Sequence, residues 1–448
     1  MPGLGSEHLI APGPRGLEGI RTVLAYNRDP FQTLLDLVAD YGDVVRFISG
    51  PINAYVVNGA EHIETVLATD AWSFAPVRPY TVERAMRQGL FTSHGYVHHH
   101  QRELLQGAYA HKHVARFGEI IARWGGWLCD SWQAGVEMDL EAQMEQLVVY
   151  ISTEILFGEA IHHQLDGLLS PSLTVNEYLG TRSTNPLSAL AEALPLLADN
   201  RSFWRAMRRL EDGIDRVVAE RRAGRSAAAD DDETDFLSEL MHVPMSDRQV
   251  RDEAVASCTT GNAVTASGLL WTFYLLAQHP EAEARLHAEV DDVLADRLPA
   301  VEDLPGLQYT RRVIAESMRL YPPAWTIGRR VVQDYSIAGV RLPAGALVVV
   351  SPYVVQRDRR YYSEPLRFDP ERWTPEAIAK RPEFSYVPFS AGPRSCLGEH
   401  LAWIEMQLVV AAIARRWRVR LEPGYPLQLL PRIALRPKYG MRVHAESR

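Results

Sequence analysis

The chain has 448 residues, 46% of them hydrophobic, which is enough to bury a large core. Its formal net charge is −9 and it has no basic run, so a nucleic-acid partner is not expected. The three cysteines, Cys129, Cys258 and Cys396, lie far apart in sequence. A disulfide framework is therefore not expected, and a reducing cytoplasm fits.

The N-terminal segment 1–16 is rich in glycine and proline and lacks the basic-then-apolar pattern of a signal peptide. We predict a short tail there. The longest apolar run, 263–277, is interrupted by hydroxyl-bearing residues and is too short to span a bilayer. No membrane association is expected.

Apolar residues at three- and four-residue steps predict long helices over 203–222 and 247–278, with an exposed loop at about 221–234 between them. Strand-like runs are few and short, and the segment 335–350 is predicted to form a small antiparallel hairpin. The other short runs lie at 43–48, 54–57, 346–351 and 417–421. The fold class is therefore mainly α with a small β region.

The most informative segment runs from Phe389 to Gly398, with sequence FSAGPRSCLG. Backbone N–H groups in such a turn can hydrogen-bond a thiolate and keep the sulfur of Cys396 anionic. The two glycines let backbone approach something flat. The alternative is a buried structural cysteine. The spacing F-x-x-G-x-R-x-C-x-G resembles the heme-binding loop of the cytochrome P450 family.

The resemblance implies a single cytochrome P450 domain over 1–448 that binds heme b (iron protoporphyrin IX). Cys396 would be the iron ligand, and Phe389 would pack against the porphyrin near the sulfur. A second motif supports it: Glu316 and Arg319 lie three apart on a helix predicted over 310–320, so they can pair. By resemblance they form a structural network with Arg372.

Heme propionates need cations or hydrogen-bond donors when they are buried. The resemblance assigns this role to His98 and Arg102, four apart on one helical face, and to Arg329 and Arg394. Arg330 could substitute for Arg329. A solvated histidine cluster or an adventitious metal site is the alternative for His98-His99-His100, although three adjacent histidines cannot all face one ion from a helix.

The distal helix departs from the family pattern A-G-x-[DE]-T-[TS]. The matching residues are Thr260-Gly261-Asn262-Ala263-Val264-Thr265. Gly261 can open a groove for dioxygen, but Ala263 and Val264 cannot carry a proton. Thr265 points about 100° away around the helix, whereas Thr260 lies one turn before Val264 on the same face. Either water, Thr260 or a substrate hydroxyl relays protons, or the chemistry is altered.

The resemblance implies a soluble, monomeric, bacterial-type monooxygenase that oxidises a lipophilic small molecule of secondary metabolism. Electrons would come from a ferredoxin and ferredoxin reductase, since the sequence has no dinucleotide fingerprint and no flavin module. One alternative is an atypical catalyst: a peroxygenase, or an enzyme of oxidative coupling, cyclisation or isomerisation. The other is a gas sensor, which would need a signalling domain for which the chain has no room. Phe74 and Trp325 are candidates for shaping the pocket, although core packing is the more common fate of such residues. A basic docking face is predicted at Lys112, Arg116, Arg357, Arg359 and Arg360.

Overall fold

A computed structural model describes residues 11–49, 52–77, 80–107, 114–158, 165–182, 198–225 and 235–448. Helices dominate this part of the chain, as the sequence predicts. The helices span Gly16–Arg28, Pro30–Tyr41, Ala60–Glu64, Tyr80–Met86, Gly95–Leu105, Val114–Ser131, Leu140–Phe157, Leu165–Arg182, Ala198–Arg225, Phe236–His242, Asp247–Thr260, Asn262–Gln278, Pro280–Leu294, Gln308–Leu320, Pro352–Val355, Pro375–Ile378 and Glu399–Ala414. None of them is long and apolar enough to cross a membrane.

The strands are short and belong to several small sheets. They are β1 (Val44–Ser49), β2 (Ile52–Val57), β3 (Phe74–Pro76), β4 (Glu137–Asp139), β5 (Ile327–Val331), β6 (Tyr335–Ile337), β7 (Val340–Leu342), β8 (Leu347–Val350), β9 (Trp417–Leu421), β10 (Leu429–Pro431), β11 (Leu435–Pro437) and β12 (Arg442–Ser447). All four short runs predicted as strands are confirmed, with ends shifted by up to two residues.

The chain forms two compact units. The first contains Met1–Arg78, Ala324–Arg367 and Pro375–Cys396, and the second contains Pro79–Pro323, Phe368–Thr374 and Leu397–Arg448. The prediction of one domain over 1–448 stays a prediction.

The first unit is built on a five-stranded sheet of order β1-β2-β8-β5-β3. β-Branched residues on these strands, among them Val57, Val348 and Val350, are fully buried in its apolar core. The predicted 335–350 hairpin is only partly right. β6 and β7 do pair, through a turn with positive φ at Ala338 and Gly339, but β8 leaves them and pairs with β2 and β5.

The second unit is organised around the buried helix Asn262–Gln278, which is apolar nearly all round. Trp271 stacks on Tyr321 at 4.4 Å between ring centroids and donates its indole N–H to the Leu435 carbonyl at 3.0 Å. Gly268 is required on this helix, because a Cβ there would lie 2.8 Å from Met406 Sδ. The helix thus crosses the Glu399–Ala414 helix at close range.

The predicted helix over 247–278 is wrong as one continuous helix. It is broken at Gly261 into Asp247–Thr260 and Asn262–Gln278. The Asn262 side chain spans the break by donating from Nδ2 to the Cys258 carbonyl at 2.8 Å. The side chain therefore compensates for the interruption of the helical ladder.

The ends of two other predicted segments also differ. The helix predicted over 203–222 extends over Ala198–Arg225, so residues 221–225 of the predicted 221–234 loop are helical. Residues 226–234 of that loop and residues 1–10 of the predicted tail lie outside the described residues.

A buried acid on the Glu399–Ala414 helix gives a pH-dependent stability. Glu405 is 6% exposed, Oε1 has no hydrogen-bond partner among the described residues, and burial raises its pKa from 4.5 to about 8. The folded protein therefore holds this proton between those two pH values while the unfolded chain releases it. The free energy of unfolding should fall as pH rises through this window.

We expect Glu405→Gln to flatten that slope and to stabilise the protein above pH 8 by about 1–3 kcal/mol, since no charge is then buried. Urea unfolding of the heme-loaded protein, followed by circular dichroism at several pH values, measures it. An unchanged pH slope in the variant would show that Glu405 is not the source.

Candidate active site

The Cys396 segment in the first unit is a tight loop held by its own backbone. The Cys396 N–H donates to the Phe389 carbonyl at 2.9 Å, and both Ser390 and Gly392 have positive φ, 60° and 65°. A Cβ on Gly392 would lie 2.2 Å from the Leu67 carbonyl oxygen. The close approach that this glycine allows is thus to the chain's own backbone, in the turn Thr65–Thr69.

The three cysteines differ in the accessibility of their sulfur. Cys129 and Cys258 are buried, and burial raises the pKa of each thiol to about 12. Cys396 is exposed. A cysteine binds a metal as the thiolate, not as the thiol. Cys396 is therefore the cysteine suited to bind iron, and it is not a buried structural cysteine. Gly398, two residues on, accepts the Ala402 N–H at 2.9 Å at the start of the Glu399–Ala414 helix.

The choice between the two arginines on β5 follows from strand alternation. Arg329 is 6% exposed, whereas Arg330 faces solvent and donates to the Gly345 carbonyl at 3.1 Å. Burial, together with the neighbouring positive charge of Arg394, lowers the pKa of Arg329 to about 10. A buried cation beside a second cation is stabilised by an anion. These residues fit a propionate-bearing heme.

In the second unit the three adjacent histidines on the Gly95–Leu105 helix point in different directions. His98 is buried, and Arg102 is half-buried on the same face. His99 lies 3.3 Å from Glu103, while His100 stacks on an exposed tyrosine. No group of metal-binding side chains occurs in the described part of the chain. The alternative of an adventitious metal site gains no support.

The predicted network around Glu316 is formed within the second unit. Glu316 and Arg319 are fully buried and make a bidentate pair, with Nε to Oε2 at 2.7 Å and Nη2 to Oε1 at 2.8 Å. Arg372 Nε lies 3.4 Å from Glu316 Oε1. The sequence prediction missed two further donors: the Asp369 N–H at 2.9 Å and the Trp373 indole N–H at 3.0 Å. Their only signal was proximity to Arg372 in the sequence.

The break at Gly261 changes the interpretation of the distal residues. Thr260 ends the first of the two helices, and its hydroxyl donates to the Ala256 carbonyl at 2.8 Å. Gly261 itself keeps helical dihedral angles, φ −80° and ψ −39°, so the placement of Thr260 and Val264 on the same face stays a prediction. Thr265 is buried at 9% exposure, and its N–H donates to the Gly261 carbonyl. Val264 is partly buried.

A small cavity beside Ala263, lined by both charged and apolar side chains, was missed by the sequence prediction. Its volume of about 10 Å³ is the room of about one water. Glu141 and Glu145, on the first turns of the Leu140–Phe157 helix, line it together with Arg436 of β11. These residues are far from Ala263 in the sequence, so no sequence motif connects them to it.

Both aromatic candidates for the pocket pack in the core of the first unit. Trp325 is 2% exposed and contacts Phe31 at 5.0 Å between ring centroids, and Phe74 is 1% exposed against Tyr335 at 4.9 Å. Their aromatic character reflects packing.

The predicted basic docking face is smaller than the sequence suggested. Arg357 is buried, with its guanidinium 3.6 Å from the centroid of the Tyr353 ring, and Arg360 is paired with Asp43 and Asp358. Lys112 lies outside the described residues. Of the five basic residues, Arg116 and Arg359 are exposed.

Residues 11–441 match the family model described as Cytochrome P450. The chain therefore belongs to the cytochrome P450 family, a class of oxidoreductases that use heme b. It is 35% identical over 438 residues to cyclooctatin synthase of Streptomyces melanosporofaciens, covering 96% of this chain and 93% of that protein. It is also 34% identical over 425 residues to cyclooctat-9-en-7-ol 5-monooxygenase of the same organism, covering 93% and 90%.

Two further comparisons agree. Pentalenene oxygenase of Streptomyces avermitilis is 30% identical over 428 residues, covering 93% of each chain. The solved structure of retinoic acid-bound cyanobacterial CYP120A1 matches with a TM-score of 0.85 at 23% identity, covering 98% of this chain and 99% of that one. This structural match confirms the fold.

Iron ligation by Cys396 is tested by the spectrum of the reduced CO complex. Thiolate ligation should give the red-shifted band of thiolate heme, and Cys396→Ser and Cys396→His should abolish it, since neither supplies a thiolate. Cys129→Ser and Cys258→Ser are matched controls that should keep the band. A band that survives loss of the Cys396 sulfur would contradict the assignment.

The adjacent arginines of β5 allow a matched test of heme binding. Arg329→Ala should lower heme occupancy, because a buried carboxylate that loses its partner costs about 3–5 kcal/mol. Arg330→Ala, the exposed neighbour, should retain wild-type occupancy. The ratio of Soret to protein absorbance after purification measures both, and equal occupancy in the two variants would show that Arg329 does not contact heme.

Proposed function

We propose that the chain is a monooxygenase that inserts one oxygen atom from O₂ into a terpenoid hydrocarbon or alcohol of secondary metabolism. The observation that carries the proposal is the similarity to relatives covered over nine tenths of both chains. Two of their names give the compound acted on: pentalenene, an alkene, and cyclooctat-9-en-7-ol, an alkenol. Both names describe lipophilic compounds with few polar groups.

Specific side chains would bind the cofactor. Cys396 would ligate the iron, with Phe389 and Gly398 shaping the loop around it. The cationic side chains Arg329, Arg394 and Arg102, together with His98, would bind the propionates. Heme bound through a thiolate supplies the activation of dioxygen. The Glu316, Arg319 and Arg372 network would hold the surrounding backbone.

On the distal side the residues nearest the oxygen would supply no ionisable group. Gly261 and Val264 would flank the oxygen, and neither brings an ionisable group. Thr265 is buried beside them, whereas the Thr260 hydroxyl is already donated to a carbonyl. A proton would then reach the oxygen through water, through Thr260, through a substrate hydroxyl or from an acid elsewhere in the protein.

Electrons would come from a ferredoxin and its reductase. Ferredoxins are acidic, so the exposed Arg116 and Arg359 would steer association, and the rate would fall as salt screens the charges. Arg116→Glu with Arg359→Glu should slow reduction. Arg208→Glu changes an exposed arginine outside the predicted docking face and is the matched control.

A second candidate function is peroxide-driven oxidation or another atypical heme-thiolate reaction, such as coupling, cyclisation or isomerisation. The observation that favours it is the apolar pair Ala263-Val264 where the family has an acid and an alcohol. Such reactions have less need of a proton relay.

The experiment combines binding and turnover. We expect terpenoid hydrocarbons and alcohols to shift the Soret band of the purified heme-loaded protein, because an apolar ligand that binds beside the heme displaces water there. With a ferredoxin, its reductase and NADPH, label from ¹⁸O₂ should enter the product. Product formed only with added hydrogen peroxide would favour the second candidate, and no binding by any terpenoid would contradict the substrate class.

A further inference from the structure

The cavity at Ala263 places carboxyl groups where the family motif would have its own acid. Ala263, Ala266, Ser267 and Leu270 form one face of the Asn262–Gln278 helix, at steps of three and four residues. Opposite this face are the carboxyl groups of Glu141 and Glu145. The acid absent from position 263 thus has two counterparts on another helix.

The two carboxyl groups share one cation. Arg436 forms an ion pair with Glu145 through Nη2, and its Nη1 lies 3.4 Å from Glu141 Oε1. The three side chains are between 16% and 31% exposed. They provide the two to four polar partners that an enclosed water needs. Ser267 does not compete for that water, since its hydroxyl donates to the Leu435 carbonyl at 2.6 Å.

Two carboxyl groups with one guanidinium leave one carboxyl free to hold a proton near neutral pH. The pKa of Glu141 is raised to about 7, chiefly by burial; the charge of Arg436 opposes the rise, and the charges of Glu145 and Asp139 contribute to it. Burial also raises the pKa of Glu145, again opposed by Arg436 and reinforced by Glu177 and Asp139. A group that titrates near the working pH is best suited to general acid–base catalysis.

We propose that Glu141, paired with Glu145 and Arg436 across the cavity, is the proton donor that replaces the missing acid of the distal helix. The inference rests on the proposed reaction with O₂. In that reaction substrate, O₂, two electrons from the redox partner and two protons give hydroxylated substrate and water. The Glu141 carboxyl gives up a proton toward the distal side and is reprotonated from bulk water through its partly exposed edge.

Glu141 acts through water and is a positioning and proton-storing residue, not one in contact with substrate. The small side chain of Ala263 is also needed for this role, because a larger side chain at this position would fill the cavity that would hold the water. The arrangement differs from the family motif in that the acid comes from the Leu140–Phe157 helix and is neutralised by a strand residue, Arg436.

The first test does not depend on turnover. In heme-loaded protein labelled with ¹³C-glutamate, infrared difference spectra across pH should show a protonated carboxyl band that titrates near pH 7. Burial also raises the pKa of Glu253 to about 7 and that of Glu405 to about 8, so Glu141→Gln should remove one component of that band and leave the other two. Arg436→Gln should move the Glu141 component to higher pH, because a stabilising cation is lost. A spectrum without any carboxyl titrating near neutrality, or a titration unchanged in Glu141→Gln, would overturn the proposal.

The second test measures coupling of electrons to product. Glu141→Gln should lower coupled turnover at pH 7 by about 10- to 100-fold and raise peroxide release, in line with the usual contribution of a positioned proton donor. The dissociation constant of the substrate should not change. Ala263→Glu in the Glu141→Gln background should restore coupling. Unchanged coupling in Glu141→Gln would also overturn the proposal.

The control is Glu137→Gln, which removes an exposed glutamate four residues earlier that lies 3.4 Å from Arg442 on the surface. It should leave both the infrared titration and the coupling at wild-type values. Failure of the proposed function would look different: wild-type protein would form no product from O₂, while the infrared titration of Glu141 would persist.

Discussion

A carboxylate with no exposure to solvent, that of Glu316, organises the second unit. Removal of a charge from water costs several kcal/mol unless its lone pairs are satisfied. Here Arg319 saturates one edge, and the Asp369 N–H and Trp373 indole N–H complete the shell. The segment Phe368–Thr374 is therefore fixed to the Gln308–Leu320 helix by charge-assisted bonds, which are directional as well as strong.

The first unit, in contrast, has an excess of positive charge in its interior. Its buried guanidinium at Arg329 lies near a second cation, Arg394, and the accessible sulfur of Cys396 belongs to the same unit. A positively charged interior and an available thiol are the two properties that a carboxylate-bearing iron porphyrin requires of its protein. The acid-rich cavity at Ala263 has the opposite character, so each unit contributes a distinct electrostatic environment.

The sequence predicted well whatever depends on spacing along the chain. The Glu316 and Arg319 pair is a matter of helical periodicity, and the β9 strand a matter of alternation. Prediction from the sequence failed where strand pairing or side-chain burial depends on partners that are distant in the sequence. The destination of β8, the burial of Arg357 against Tyr353, and the core positions of Phe74 and Trp325 are all decided by neighbours that no local pattern reveals.

The break at Gly261 illustrates the same limit at one residue. Apolar periodicity continues through it, so a single helix was the natural prediction, yet glycine lowers the local cost of interruption and Asn262 supplies the compensating bond. The acid at Glu141 lies beyond the reach of motif comparison altogether, because it occupies a different helix from the position it faces.

The contact between Gly392 and the Leu67 carbonyl has an evolutionary consequence. Because Leu67 contributes only its backbone, its side chain is not restricted by this contact, whereas Gly392 has no room for a side chain, and any insertion in the π-helical turn Thr65–Thr69 would displace the sulfur-bearing loop directly. Sequence drift in this turn is therefore constrained in length more than in side-chain identity. Substitutions that change the substrate range without moving the cysteine would then lie in segments that do not touch this contact.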